Sequence, residues 1–180
     1  MIYFIDTSAW IKFFIMEDGT REIQDFILKE SQSESNIFAA SAVTYAEMHA
    51  TFKRSLNGNR LTEEQYNDAV SAFSDQWENV DIPVVNNLLI EESGKLAQKY
   101  AIKGCDAFQL ASALIIHADL FINSDDDLMD AAKDSGLKVW NPVDGQFEKA
   151  KREWELLENA SPDMAAKLNA MIQTYSTGKQ

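Results

Sequence analysis

After Met1 the chain opens with four apolar residues, Ile2-Tyr-Phe-Ile5, and the run stops at a carboxylate, Asp6. An unbroken stretch of isoleucine and aromatics predicts a strand buried on both faces, as in parallel sheets, not the alternation of a half-exposed strand. Thr7 and Ser8 follow with hydroxyls suited to a helix start. A strand that runs directly into a helix begins a doubly wound α/β unit, and such folds bind ligands off the carboxyl ends of their strands. Asp6 is then either the cap of the next helix or an acid facing a crevice. Taken alone, the cap is the better reading. The other acids of the chain must decide.

The pattern repeats along the sequence. Helical periodicity is predicted from Ser8 to about Met16 and from about Arg21 to Ser31, where Ile23, Phe26 and Ile27 share a face. Ile37-Phe-Ala-Ala40 reads as a second strand, and the intervening helices imply a parallel pair. Ser41 opens a helix that continues to about Leu56, and Thr62-Glu-Glu64 starts another with Tyr66, Ala69, Val70, Phe73 and Trp77 as its apolar stripe. Ile82-Pro-Val-Val85 is expected to be a short strand or extended segment, at an edge because of Pro83. Leu88 to Tyr100 is helical. The segment Cys105 to His117 is apolar nearly all round after its first turn, which predicts a central buried helix. Leu120-Phe-Ile-Asn123 is a further strand, Leu128 to Ser135 a helix capped by Gly136, and Leu137 to Trp140 a last strand closed by Asn141-Pro142. Alternating strands and helices predict a three-layer α/β/α domain with a parallel central sheet over residues 1–142. Residues 143–180 change character: Phe147, Ala150, Trp154 and Leu157 make one helical stripe, and Met164, Leu168, Met171 and Tyr175 make another, so a C-terminal helical extension is expected.

Composition narrows the function. A 46% hydrophobic content in 180 residues supports a full core, and the single cysteine, Cys105, permits no internal disulfide, as in a reducing compartment. No apolar run approaches the ~20 residues of a membrane span, and the apolar start, interrupted by Asp6 and Lys12, does not read as a signal peptide. The expectation is a cytoplasmic protein without a membrane partner. A net charge of −13 argues against broad electrostatic adhesion to nucleic acid, while leaving room for an enzyme that gathers its acids at one metal site.

Four carboxylates fall at structural junctions: Asp6, Glu47 in the first turn of the helix after the second strand, Asp106 at the start of the buried helix, and Asp125 after the fourth strand. Each has a structural explanation. Thr44-x-x-Glu47 matches a capping box, Asp106 suits a helix N-terminus, and Asp125 suits an N-cap. Parallel topology, however, brings all four to one edge, where like charges need a cation to neutralise them. Hard divalent cations with oxygen ligands answer that need and support phosphodiester hydrolysis.

These residues also carry a family resemblance. IDTSAW around Asp6, TYAEMHA around Glu47, CDAFQLASAL around Asp106 and FINSDDDLMDAAKDSGLKVWNP around Asp125 resemble the four motif blocks of PIN-domain proteins, VapC-like toxin ribonucleases above all. The likeness runs from Met1 to Pro142 in order. It implies a PIN-like nuclease domain and a Mg²⁺- or Mn²⁺-dependent endoribonuclease with Asp6, Glu47, Asp106 and Asp125 as its catalytic and metal-binding acids. It further implies an RNA substrate, a cognate antitoxin of a type II toxin–antitoxin pair, and a homodimer. Asn123 departs from the pattern, since the family commonly has Thr or Ser two residues before the fourth acid. A different class remains open, a PIN-like module that binds RNA or protein without cleaving. Lys12 and the stripe Lys95, Lys99 and Lys103 are candidates for phosphate contact, the stripe also reading as an ordinary solvated face. Cys105 is expected to be a small packing residue and not a nucleophile, and His49 and His117 to take core or surface roles.

Overall fold

A computed structural model of the chain describes residues 1–159 together with Met164 and Ala166. Two compact units divide it, Met1–Asp144 and Gly145–Gln180.

The first unit is built on four parallel strands, β1 (Ile2–Ile5), β2 (Ile37–Ala39), β3 (Leu120–Ile122) and β4 (Val139–Trp140), in the spatial order β2-β1-β3-β4. The register puts residues in rows across the sheet. Phe4 lies beside Ala39 and Phe121, and Phe121 beside Val139. One residue earlier, Tyr3 lies beside Phe38 and Leu120. Because side chains alternate between faces, these two rows face opposite layers. Phe4, Ala39, Phe121 and Val139 pack with Leu110, Ala113, Leu128, Ala131 and Ala132. Tyr3 instead meets Phe26 edge-on at 5.1 Å, and Phe26 lies 5.0 Å from Trp140. Both faces of the strands are covered, which is why their sequences read as continuous apolar runs.

Seven helices surround this sheet: α1 (Thr7–Phe14), α2 (Thr20–Glu30), α3 (Ala42–Asn57), α4 (Glu63–Trp77), α5 (Asn87–Tyr100), α6 (Gly104–Ile115) and α7 (Asp126–Asp134). The buried α6 matches its apolar sequence; Ala107, Leu110, Ala111 and Ala113 are fully covered. A second apolar cluster joins α1, α3 and α4 through Trp10, Phe14, Phe52, Phe73 and Trp77. The Trp10 indole N–H donates to Gln76 Oε1 at 3.0 Å there. Gly19, at φ +88, enters α2 where a Cβ would lie 3.0 Å from backbone atoms of Pro142 and Val143. Only glycine meets both demands without strain.

The segment Ile82–Val85 is not a strand. The one bridge lies just before it, Ala39 to Asp81, with Asp81 N–H donating to Phe38 O at 2.9 Å and Ala40 N–H to Asp81 O at 3.1 Å. Pro83 has no N–H with which to extend that ladder, and Val84 and Val85 are exposed. Helix α7 begins two residues earlier than its periodicity suggests, because Asp125 caps it.

In the second unit, α8 (Phe147–Glu158) carries the first tail stripe; Phe147 is buried, and Ala150, Trp154 and Leu157 are partly covered. Most of the second stripe lies outside the described residues. No helix among the described residues is long and apolar enough to cross a membrane.

Candidate active site

The sheet register fixes where the acids meet. Asp6 follows β1 directly and its N–H donates to Ile122 O at 2.9 Å; Asn123 follows β3 and its N–H donates to Trp140 O at 3.1 Å. Both therefore sit at the carboxyl edge, Asp6 leading into α1 and Asn123 into the cap of α7. Helix α3 begins at the same edge after β2, with Ser41 as its N-cap. Helix α6 begins after Lys103, and Asp106 lies in its first turn.

Asp6 does two things at once. Its Oδ2 caps α1 by accepting the Ser8 N–H at 2.8 Å and the Ser8 hydroxyl. Among the described residues no hydrogen bond reaches its Oδ1. The side chain is only 5% exposed, and burial raises its pKa from 3.8 to about 6 against the two Ser8 bonds, with the charges of Glu47 and Asp106 pushing further upward. The Asp106 carboxyl is raised too, first by burial; nearby Lys103 lowers it, while Asp125 and Glu47 raise it. Those repulsions link the four acids predicted from sequence into one electrostatic site, with Asp106 coupled to each of the others. The cap reading of Asp6 holds as well. A cap and a site acid are the same residue here.

Asp125 has the same double character: its Oδ1 accepts the Leu128 N–H at 3.1 Å, and Oδ2 receives no hydrogen bond among the described residues. Glu47 is in the second turn of α3, and the capping box expected of Thr44 and Glu47 is not formed. Ser41 caps the helix, leaving Thr44 buried inside it. Glu47 Oε2 accepts the Thr7 hydroxyl at 2.6 Å and the Gln109 amide at 3.1 Å. Cys105, expected to be a packing residue, is exposed beside this carboxylate, and partial burial and then the Glu47 charge raise the thiol pKa. Among the described residues no hydrogen bond reaches Glu47 Oε1.

Several residues that support the site were not among the site residues expected from sequence. Asn123, fully buried, does not touch a carboxylate; its Oδ1 accepts the Asp125 N–H at 2.6 Å and its Nδ2 donates to Asp125 O at 3.0 Å. It shapes the loop that aims Asp125. Ser8 Oγ stands 2.9 Å from Asn123 Oδ1 and accepts the Ser124 N–H at 2.9 Å, tying the two strand ends together. Gln109 lies on α6 three residues past Asp106 and reaches Thr7, Thr44 and Glu47. Three residues further on, the Ser112 hydroxyl lies 3.3 Å from that of Ser41. The signal was present: Asp106, Gln109 and Ser112 recur at helical spacing inside an otherwise apolar helix, and Ser41, Thr44 and Glu47 recur at the same spacing in α3.

The phosphate-contact candidates are largely engaged. Lys12 is buried against Glu17 at 2.8 Å, and Glu17, despite some burial, is held below its usual range by Lys12 and Arg60. Lys95 pairs with Glu92 at 2.6 Å and Lys99 with Asp134 at 2.9 Å. Lys103 stands at the site itself, 4.0 Å from Asp106.

Among the described residues no three His, Cys, Asp or Glu side chains form a ready-made cage for an ion. The donor chemistry nonetheless suits a hard cation. The donors are carboxylates, at least two of them with an oxygen free of protein hydrogen bonds, and Mg²⁺ commonly takes one or two carboxylates and fills its shell with water and phosphate oxygens.

A parallel sheet with acids at its carboxyl edge defines a class, and comparison with known proteins gives the family. The PIN domain family model matches residues 3–134, so the chain belongs to the PIN domain family. It is 27% identical over 116 residues to Ribonuclease VapC45 of Mycobacterium tuberculosis (strain CDC 1551 / Oshkosh), covering 64% of this chain and 76% of that protein. The same figures hold for Ribonuclease VapC49 of Mycobacterium tuberculosis (strain ATCC 25618 / H37Rv). Its fold is similar to that of VapBC-1 from nontypeable Haemophilus influenzae, with a TM-score of 0.56 and 20% identity over 79% of this chain and 99% of that one. It is also similar to Mycobacterium tuberculosis VapC20, a sarcin-ricin loop cleaving toxin, with a TM-score of 0.55 and 16% identity over 75% of this chain and 95% of that one.

Proposed function

We propose that this chain is a divalent-metal-dependent endoribonuclease acting as the toxin of a toxin–antitoxin pair. The observation that carries the reading is the buried Asp6 carboxyl at the sheet edge, raised to about 6 with Glu47 and Asp106 pushing it upward, and Asp106 beside it, itself raised by Asp125 and Glu47. Four acids so arranged are a liability for a protein that binds no cation. The ribonuclease names of its PIN-family relatives point the same way.

Asp6 and Asp106 are the principal ligands for Mg²⁺ or Mn²⁺, Glu47 assists them, and Asp125 completes the site. Bound there, the ion supplies charge stabilisation for a phosphodiester and lowers the pKa of water. The chain's own residues do the rest. Ser8 fixes Oδ2 of Asp6 and leaves Oδ1 without a hydrogen bond among the described residues. Asn123 sets the Asp125 loop. Lys103, largely exposed and beside Asp106, is the cation best placed for a phosphate of the RNA. The VapBC structures of similar fold support a cognate antitoxin as partner, and a homodimer and a cytoplasmic location complete the proposal.

The test is cleavage of a generic single-stranded RNA with Mn²⁺, compared with EDTA and with Asp6→Asn. Metal-dependent cleavage by the wild type alone is the expected result. Binding without cleavage under every condition would establish the non-catalytic module instead.

A further inference from the structure

We propose that Gln109 is a positioning residue for Glu47: its buried amide, with the Thr7 hydroxyl, holds one oxygen of that carboxylate so that the other is presented to the metal. The inference rests on the metal-dependent reading above.

Gln109 is 1% exposed, in a helix whose neighbouring buried positions are alanine, leucine and serine. A leucine would fill such a position without the cost of burying an amide. The amide is instead surrounded by hydroxyl and carboxylate oxygens. Its Nε2 lies 2.9 Å from Thr7 Oγ1, 2.9 Å from Thr44 Oγ1 and 3.1 Å from Glu47 Oε2. The chemistry of those oxygens fixes which end of the amide faces them. Glu47 only accepts, and Thr7 spends its single proton on Glu47 at 2.6 Å, so Thr7 Oγ1 toward Gln109 is an acceptor too. A carbonyl turned to that side would oppose lone pairs. The NH₂ group must occupy it.

Glu47 Oε2 thus receives two donors from two different helices, Thr7 of α1 and Gln109 of α6. Glu47 extends from α3 on a long side chain whose rotamers cost free energy to restrict. Two donors on one oxygen restrict it before any ligand arrives. Because Gln109 lies one helical turn from Asp106 on the same helix, the amide also sets the spacing between two acids of the site. Groups that orient metal ligands in this way typically contribute ten- to a hundredfold in metal affinity.

The network contains its own control. Thr44 bonds Gln109 but not Glu47. If the amide mattered only for packing α6 against α3, cutting either contact would have the same effect.

The experiment is an isothermal calorimetric Mn²⁺ titration of the full chain, read as the Mn²⁺ concentration at half saturation. It compares wild type, Gln109→Met, Thr7→Val, Thr7→Ser and Thr44→Val. Gln109→Met and Thr7→Val should raise that midpoint roughly ten- to a hundredfold. Thr7→Ser, which keeps the hydroxyl, and Thr44→Val should stay near wild type. Should Gln109→Met fail to fold, the contrast between Thr7→Val and Thr44→Val decides alone. A responsive wild type with unchanged midpoints in Gln109→Met or Thr7→Val overturns the inference, as does an equal loss in Thr44→Val. A wild type that shows no Mn²⁺ response sinks the metal reading itself, and this inference with it.

Discussion

Replacing Asp6 with asparagine should make the metal-free protein more stable at neutral pH. The carboxyl is buried, and its pKa stands at about 6 against an ordinary 3.8. A folded-state value above the unfolded one means that the native protein holds the proton more tightly, so stability is greatest below pH 3.8 and falls as pH rises through about 6. At 1.36 kcal/mol per pH unit, the ionised Asp6 costs roughly 3 kcal/mol at pH 7.5. Asparagine removes that cost and remains a good N-cap for the Ser8 N–H, although the bond loses its charge, at a cost of about 1 kcal/mol. The net gain of about 2 kcal/mol should raise the melting temperature by roughly 4–8 °C for a chain of this length. The measurement is a pair of melts in EDTA across pH 4 to 8, wild type against Asp6→Asn. Groups common to both proteins cancel in the difference, which should grow between pH 4 and 6.5 and then level off. A variant less stable at pH 7.5, or a difference independent of pH, would show that Asp6 is an ordinary solvated cap and would refute the electrostatic account of the site.

Two further substitutions probe the frame that holds the acids. Phe4→Ala removes a ring that is fully buried and stacked 5.5 Å from Phe121, and should cost about 3–5 kcal/mol in urea unfolding; a loss under 1 kcal/mol would mean the sheet face is not the core. Gly19→Ala forces a side chain into a left-handed conformation against the Pro142 backbone and should cost about 1–3 kcal/mol by the same assay, whereas a change within 0.5 would show that this turn relaxes freely.

The sequence made the frame legible because the central strands β1 and β3 are buried on both faces. Ile2–Ile5 and Leu120–Ile122 could not satisfy a half-exposed pattern, and helices between them left parallel pairing as the simple connection. Where reading stopped short, a local signal was overruled by a neighbour. Ile82–Val85 has β-forming residues, but Pro83 ends the ladder after Asp81. Thr44 and Glu47 have capping-box spacing, but Ser41 caps first and both are drawn toward Gln109 instead. The lysine stripe has the spacing of a basic face, yet Lys95 and Lys99 meet acids, Asp134 coming from a helix far along the chain.

The four acids show why local logic alone could not decide between structure and function. Asp6 and Asp125 do cap helices, as their positions suggest. Capping, however, engages one carboxylate oxygen, and at Asp6 burial near other acids then makes the charge costly instead of favourable. Serine or asparagine would cap there as well without the repulsion. Aspartate at position 6, buried and with Glu47 and Asp106 close enough to raise its carboxyl further, places negative charge where the fold is least able to solvate it. The stability given up there is what a bound cation would return, since a ligand that binds only the folded chain stabilises it by linkage.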